Sequence, residues 1–482
     1  MGSGQWAVGS GKWAVGSGQW AVGSGQWAVG SGQWAVGSGQ WTVDSGQWTV
    51  DSGQWTVGSG QWAVEPTTDN RQPTKNKEQR TKNKEQRTKN KEQRTKFMYP
   101  FEKIRVSGFR RLANVSLSLK PLSVLIGANG SGKTSLLDCL SLLAASASGN
   151  LVESVSNLGG YTSLRTNLSE WSCVATEFDL VQNTATGKPL TYELRIEPRG
   201  VDFSISEEAL FQDRGQPNPF LHITSSRSNI QYFDSVDQRK LVRPTWDINP
   251  SESALSQVPK MFSEPEEFRK NLASSTHYHV LDVSPMAPVR LPQPMRTATL
   301  PGKDGETLVS CLYMIRETDQ DRFDLIQDTL RAGFPNFERL NFPPVAAGTL
   351  AMTWKDRTSA NPFYMHQLSE GTLRFLWLVT LLNCPELPAV TMIDEPEVSL
   401  HPELLSVLAD LFRDASNRTQ LIVATHSDRL VRFLTPDEVI TTNMGDDGTT
   451  TFQWGTEYDL DEWLKDYTLD QLWGMGRLGG RA

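Results

Sequence analysis

Two kinds of hydrophobic pattern divide this chain. From Ser3 to Val64, isolated apolar clusters recur every seven residues, in nine copies of a unit written mostly Ser-Gly-Gln-Trp-Ala-Val-Gly. From Phe101 onward the pattern is that of a folded domain. Residues 101–119 alternate loosely (FEKIRVSGF, then LANVSLSL) and predict strands. LSVLI at 122–126 is a continuous apolar run running into a Gly-rich loop, which predicts a buried strand. SGKTSLLDCLSLLAA, from Ser131, carries its apolar residues at helical spacing. Strand-like runs such as TYELRIE and VDFSIS mark 170–240, and prolines gather around 284–301. DRFDLIQDTLRAGF (321–334) predicts an amphipathic helix and GTLRFLWLVTLL (371–382) an apolar one. VTMI (390–393) and QLIVAT (420–425) predict buried strands. Between them, PELLSVLADLFRDA reads as the crossover helix of a parallel βαβ unit.

The N-terminal repeats change how composition is read. After the tryptophan units, TKNKEQR repeats three times from Thr74. The heptanucleotide AGTGGGC, read continuously in triplets, encodes Ser-Gly-Gln-Trp-Ala-Val-Gly. One base change, to AGTGGAC, gives Ser-Gly-Gln-Trp-Thr-Val-Asp, which is the sequence from Ser45 to Asp51. ACAAAGA encodes Thr-Lys-Asn-Lys-Glu-Gln-Arg. Two unrelated protein repeats thus reduce to seven-base DNA repeats. Residues 1–97 are expected to be translated repetitive DNA, disordered and outside the native protein, with the true start at Met98. Nine of the sixteen tryptophans lie there. The remaining 385 residues carry 35 basic and 48 acidic side chains, an acidic body that does not advertise nucleic-acid or anionic-membrane binding. No run of 18 apolar residues or leader-like segment follows Met98, so a cytoplasmic location and no membrane partner are expected. Cys139, Cys173, Cys311 and Cys384 are scattered and read as buried free thiols.

Four short stretches carry the chemistry. GANGSGKTS, from Gly127, matches the phosphate-binding loop G-x-x-x-x-G-K-[ST] between a strand and a helix. Gly127, Gly130 and Gly132 let backbone N–H groups turn inward around phosphates, and Asn129, Ser131 and Ser135 complete the loop. Lys133 is placed to reach the β- and γ-phosphates of ATP, and Thr134 to offer a hydroxyl to Mg²⁺. Asp394 ends a buried strand, where a carboxylate holds Mg²⁺. Glu395 follows it, His426 ends the neighbouring strand in IVATHS, and LSEGTLRF begins at Leu368. Between the phosphate-loop helix and LSEGT lie roughly 220 residues without a sustained apolar heptad, so a compact lobe is expected there rather than coiled-coil arms.

With GFRRL near the start, DGETL (304–308), DEPEVSLHP, and the terminal DEWLKDYTLDQLWGMGRLGG (461–480), residues 98–482 resemble the bacterial RecF-like ATPases, related to the OLD, RecF and SMC heads. The resemblance implies an α/β P-loop NTPase of ABC/SMC-head type: a mixed β-sheet with flanking helices, an antiparallel β subdomain and a helical signature lobe. Its parts would be a Walker A lobe (98–145), an inserted lobe (146–365) and a signature, Walker B and switch region (366–482). It implies that Glu395 polarises the attacking water, that His426 is the switch histidine contacting the γ-phosphate, and that Ser369 and Gly371 bind the nucleotide of the opposite subunit. The working unit would be a homodimer sandwiching two ATP molecules. The resemblance points to DNA repair, DNA maintenance or phage defence, with DNA and a nuclease or other effector encoded nearby as candidate partners. A regulatory or scaffold ATPase acting on a protein partner is the alternative. A transporter subunit is a weaker one, because Glu370 and Thr372 depart from LSGGQ. Gln182, Gln212 and Gln231 remain open as Q-loop candidates, and the 56 residues after His426 are too few for a TOPRIM nuclease.

Overall fold

The computed structural model describes residues 100–480, except 169–170, 172, 185, 201, 228, 235–238, 260–262 and 347, together with short strands nearer the N-terminus. The chain divides into two units, Met1–Arg94 and Thr95–Ala482. In the first unit, where composition predicts disorder, the structure places short strands such as Trp13–Val15, Trp27–Val29 and Trp41–Val43. Each pairs in parallel with the strand two repeats away, as Trp13 with Trp27 and Trp27 with Trp41. A β-favouring triad recurring every seven residues brings identical positions into register. The remaining residues of the repeats lie outside the described residues.

The second unit opens with β1 (Phe101–Phe109) and β2 (Leu112–Ser118), then β3 (Leu122–Ile126), α1 (Lys133–Ser148) and α2 (Leu151–Asn157). Six antiparallel strands follow: β4 (Thr176–Gln182), β5 (Leu190–Arg199), β6 (Asp202–Gln212), β7 (Phe220–Ser226), β8 (Asn229–Phe233) and β9 (Leu241–Val242). They extend the β1–β2 hairpin into one eight-stranded sheet in the order β2-β1-β4-β5-β6-β7-β8-β9. Alternation drives this: in β5, Leu190, Tyr192, Leu194 and Ile196 are buried while the residues between them are not. Glu208, buried in β6, accepts from Tyr192 Oη, Ser253 Oγ and the backbone N–H groups of Ala254 and Leu255. Those four donors satisfy its oxygens, so this buried acid reads as an anchor.

The chain then returns to the core through α3 (Ser263–Ser274) and β10 (Thr276–Tyr278). Helices α4 (Leu308–Thr318) and α5 (Gln320–Gly333) lead to the hairpin of β11 (Phe337–Asn341) and β12 (Thr353–Asp356). Next come α6 (Glu370–Asn383), β13 (Val390–Asp394), α7 (Leu404–Ala415), β14 (Gln420–Thr425), β15 (Val439–Met444), β16 (Thr450–Trp454) and the terminal α8 (Leu469–Gly474). Residues 146–365 are therefore spread over three places: the antiparallel sheet, the parallel core and the helices beside α6.

The second large sheet has the order β10-β13-β14-β3-β15-β16, parallel throughout except for β16. β14 lies between the strand that feeds the phosphate loop and the strand that ends in Asp394. The register pairs Ile126 with Thr425 and Asp394 with Ala424, so three loops leave the same carboxyl edge side by side. Ligand crevices of open α/β sheets form at that edge. The strands read as continuous apolar runs because helices cover both faces: Val124, Ile126, Ile393 and Val423 enter one hydrophobic cluster, and Leu125, Met392, Ile422 and Ala424 the other. On α7, Leu404, Leu405, Leu408, Leu411, Phe412 and Ala415 form the stripe that faces the first cluster.

Candidate nucleotide site

The phosphate loop connects β3 to α1. Gly132, the N-cap of α1, has φ +105°, and a Cβ added there would lie 2.5 Å from Thr450 Oγ1, so only glycine fits. No side chain caps α1. The N–H groups of Lys133, Thr134 and Ser135 have no intrahelical acceptor, and the helix dipole adds partial positive charge there. Asn129 and Gly130 are exposed at the loop tip, whereas Ser131 and Ser135 are buried. Thr450 Oγ1 donates to Ser131 O at 2.8 Å, and its N–H donates to Arg111 O, tying the GFRRL segment to the loop. Lys133 is 6% exposed, and its Nζ donates to Gly127 O (2.8 Å) and Ala128 O (2.9 Å). Two of its three protons are thus engaged, leaving one for a phosphate oxygen. Burial lowers the Lys133 pKa, and Asp394, Glu395 and Glu397 oppose that shift.

Thr134 Oγ1 donates to Asp394 Oδ2 at 3.1 Å. A hydroxyl and a carboxylate at this spacing, beside an uncapped helix terminus, are hard oxygen donors that suit Mg²⁺. The ion would offset phosphate charge there. Burial pushes the Asp394 carboxyl above its usual range, partly offset by the Thr134 hydrogen bond.

Glu395 sits at φ +49°, a left-handed conformation that costs a non-glycine residue about 1–2 kcal/mol. Its N–H donates to Ala424 O at 2.8 Å, which holds the turn. The turn points the carboxylate at the switch strand, where Glu395 Oε1 lies 3.0 Å from His426 Nδ1. Glu397, unremarked in the sequence beyond its place in DEPEVSLHP, lies behind this pair with its side chain 8% exposed. Its Oε1 accepts from Thr425 Oγ1 (2.5 Å) and His426 N (3.3 Å). Glu397 therefore positions the His426 backbone and Thr425, and burial raises its own pKa.

LSEGT lies at the start of α6, where Ser369 caps the helix by accepting from Thr372 N at 3.2 Å. Gly371 is fixed by its own chain, because an added Cβ would meet Ser399 O at 2.4 Å. Arg374 donates from Nη1 to Ser399 Oγ and from Nε to Leu281 O. Arg290 donates to Leu368 O at 2.9 Å and to Val283 O at 2.7 Å. These two arginines brace the signature loop, and sequence reading passed over both. Among the described residues, no hydrogen bond or ion pair joins Ser369 or Gly371 to the phosphate loop.

Two further features were not legible in the sequence. Ala128 N donates to Gly480 O at 2.9 Å, and Gly480 N donates to Asn443 Oδ1, so the terminal LGG segment lies against the phosphate loop. Gln182, Gln212 and Gln231 all belong to the antiparallel sheet. The strand beside the carboxylate strand is β10, which ends in Tyr278 and is followed by His279. His277, His279 and Asp394 each present a donor atom within 4.8 Å of the others. Burial, with His279 and Lys303 adding to it, lowers the His277 pKa to about 3. The unfolded chain takes a proton at His277 below pH 6.5 that the folded chain refuses until about pH 3. This residue therefore costs stability as pH falls through that window. We expect His277→Asn to gain thermal stability relative to the parent between pH 6.5 and 4; parallel Tm curves for the two proteins would refute this.

The order of the parallel sheet, the loop entering an uncapped helix, and Asp394-Glu395 beside His426 at the ends of adjacent strands define an α/β fold with a P-loop nucleotide site. Residues 122–432 match the family model described as "AAA domain, putative AbiEii toxin, Type IV TA system", and the chain belongs to that family. No curated protein matches it. Solved structures similar to it include an SMC head bound to the C-winged helix domain of ScpA: 14% identity, 73% of this chain and 97% of that one covered, TM-score 0.48. Another is the SMC head domain from Thermotoga maritima (12%, 73% and 98%, 0.39). A third is a Pyrococcus furiosus Smc head with an extended coiled coil bound to the C-terminal domain of ScpA (11%, 76% and 98%, 0.45).

Proposed function

We propose that this chain is an ATPase whose two copies close head to tail around two ATP molecules and reopen after hydrolysis. The observation that carries the reading is the convergence, at one carboxyl edge of a parallel sheet, of three things. These are the uncapped start of α1 with Lys133, the Thr134–Asp394 pair, and the Glu395–His426 pair. In this reading Lys133 and the loop N–H groups hold the β- and γ-phosphates. Glu395 takes a proton from the attacking water as its oxygen bonds to the γ-phosphorus. The bond to the β,γ-bridging oxygen breaks, and ADP and phosphate leave. His426 stays beside Glu395 and donates toward the γ-phosphate. Ser369, exposed at the start of α6 and unconnected to its own phosphate loop, is offered to the partner's nucleotide.

DNA repair, DNA maintenance or phage defence is the setting we favour. The family's description, which names a toxin of a type IV system, supports the defence side. The acidic composition of residues 98–482 supports a second reading, in which the ATP-driven movement acts on a protein partner such as a nuclease or other effector encoded nearby. No helix among the described residues is long and apolar enough to cross a membrane.

Isothermal titration with ATP and Mg²⁺ tests the nucleotide site. The wild-type chain should bind ATP, and Lys133→Ala should weaken binding by at least about tenfold, since a charge-assisted contact to phosphate is worth about 1.5–3 kcal/mol. Equal affinities would remove Lys133 from the site.

A further inference from the structure

We propose that His277, His279 and Asp394 form a binding site for a divalent metal of the imidazole-preferring class, zinc or cobalt(II). Its donor chemistry differs from that of the all-oxygen position at Thr134. Residues 277 and 279 lie two apart along an extended segment, so both rings project to one side. β10 pairs with β13 in parallel, Tyr278 opposite Ile393, which brings His279 alongside Asp394. The ring centroids of His277 and His279 are 4.0 Å apart, and one donor atom from each of the three residues lies within 4.8 Å of the other two. Donors on a tetrahedral zinc are ~3.4 Å apart, so small side-chain rotations would close the set.

A second, independent observation points to a ligand. His277 is only 5% exposed, and its Nε2 is buried with no hydrogen-bond partner. Its Nδ1 has Asp138 Oδ1 at 3.9 Å, and Asp138 is itself held by Arg110 at 2.5 Å. At 3.9 Å that carboxylate stands beyond hydrogen-bond reach of the ring nitrogen, on the side where the outer support of a metal-bound histidine lies. Both histidines line a cleft of about 390 Å³ bounded by α1, α2 and Lys303, with room for the water or substrate that completes a three-ligand site. Two imidazoles and a carboxylate suit zinc or cobalt, whereas Mg²⁺ favours oxygen donors.

The test uses the full chain without nucleotide. Cobalt(II) is titrated and followed by its visible absorption, and Zn²⁺ by calorimetry. One equivalent should bind, and about a thousandfold excess of Mg²⁺ should not displace it. His279→Ala, at an exposed position, should weaken binding by about 10–100-fold, and His277→Gln by as much. If His277→Gln does not fold, the exposed variant decides. Lys133→Ala should bind the metal as the parent does, so loss of ATP binding and loss of this site are separable. Absence of cobalt binding overturns the proposal. So does unchanged affinity in His279→Ala, which would mean an adventitious surface ion only.

Discussion

Glu395→Gln should bind ATP as tightly as the parent and lose about 10²–10⁴-fold in turnover, a barrier increase of about 3–5 kcal/mol. The substitution is nearly isosteric. The amide oxygen can still accept from His426 Nδ1, now 3.0 Å from Oε1, and the backbone at φ +49° is unchanged. What disappears is a group able to take the proton of the attacking water. If two chains close over ATP and only hydrolysis reopens them, this variant should also accumulate as an ATP-dependent dimer. Light scattering with and without ATP reads the association, and single-turnover kinetics read the chemistry. A variant that hydrolyses at the parent rate removes Glu395 from catalysis. A variant that binds ATP and stays monomeric at micromolar concentration removes the sandwich.

Much of this site is legible in the sequence because its chemistry is local. The phosphate loop needs glycines and a lysine at fixed spacing, and the strand before it and helix after it announce themselves by continuous apolar character and helical spacing. Asp394-Glu395 and His426 stand at the ends of apolar runs, which predicts their place at the sheet edge. The less legible partners are those that long-range register brings together. His277 follows no motif; it reaches Asp394 only because β10 returns as the neighbour of β13 after the antiparallel strands. Glu397 sits inside a quoted motif, yet its burial under Thr425 and His426 depends on the β13–β14 pairing. The contact of Gly480 with Ala128 spans nearly the whole second unit, and no periodicity encodes such a return. The antiparallel strands themselves are visible as alternation, but their joining with β1 and β2 into one eight-stranded sheet is a matter of topology.

The signature loop should act on the nucleotide of the partner chain. Gly371 is a poor place to test this: the Ser399 carbonyl of the same chain already excludes a side chain there, so any substitution disturbs the fold of its own subunit. Ser369 is exposed, and losing its cap costs about 1 kcal/mol. Ser369→Arg should therefore fold, bind ATP as a monomer, and fail to close or hydrolyse. Lys133→Ala fails for the opposite reason, with an intact signature and no phosphate anchor. In a mixed dimer, one composite site combines both defects and the other combines none. Random mixing of equal amounts makes half the dimers mixed, each with one sound site of two, so about a quarter of the wild-type rate should return if sites fire independently. If the dimer reopens only after both sites have hydrolysed, steady-state activity stays at zero. A single turnover on a tagged mixed dimer should then still release one phosphate from the sound site. Mixed dimers that form and release none in either measurement would place the signature in cis and end the head-to-tail reading.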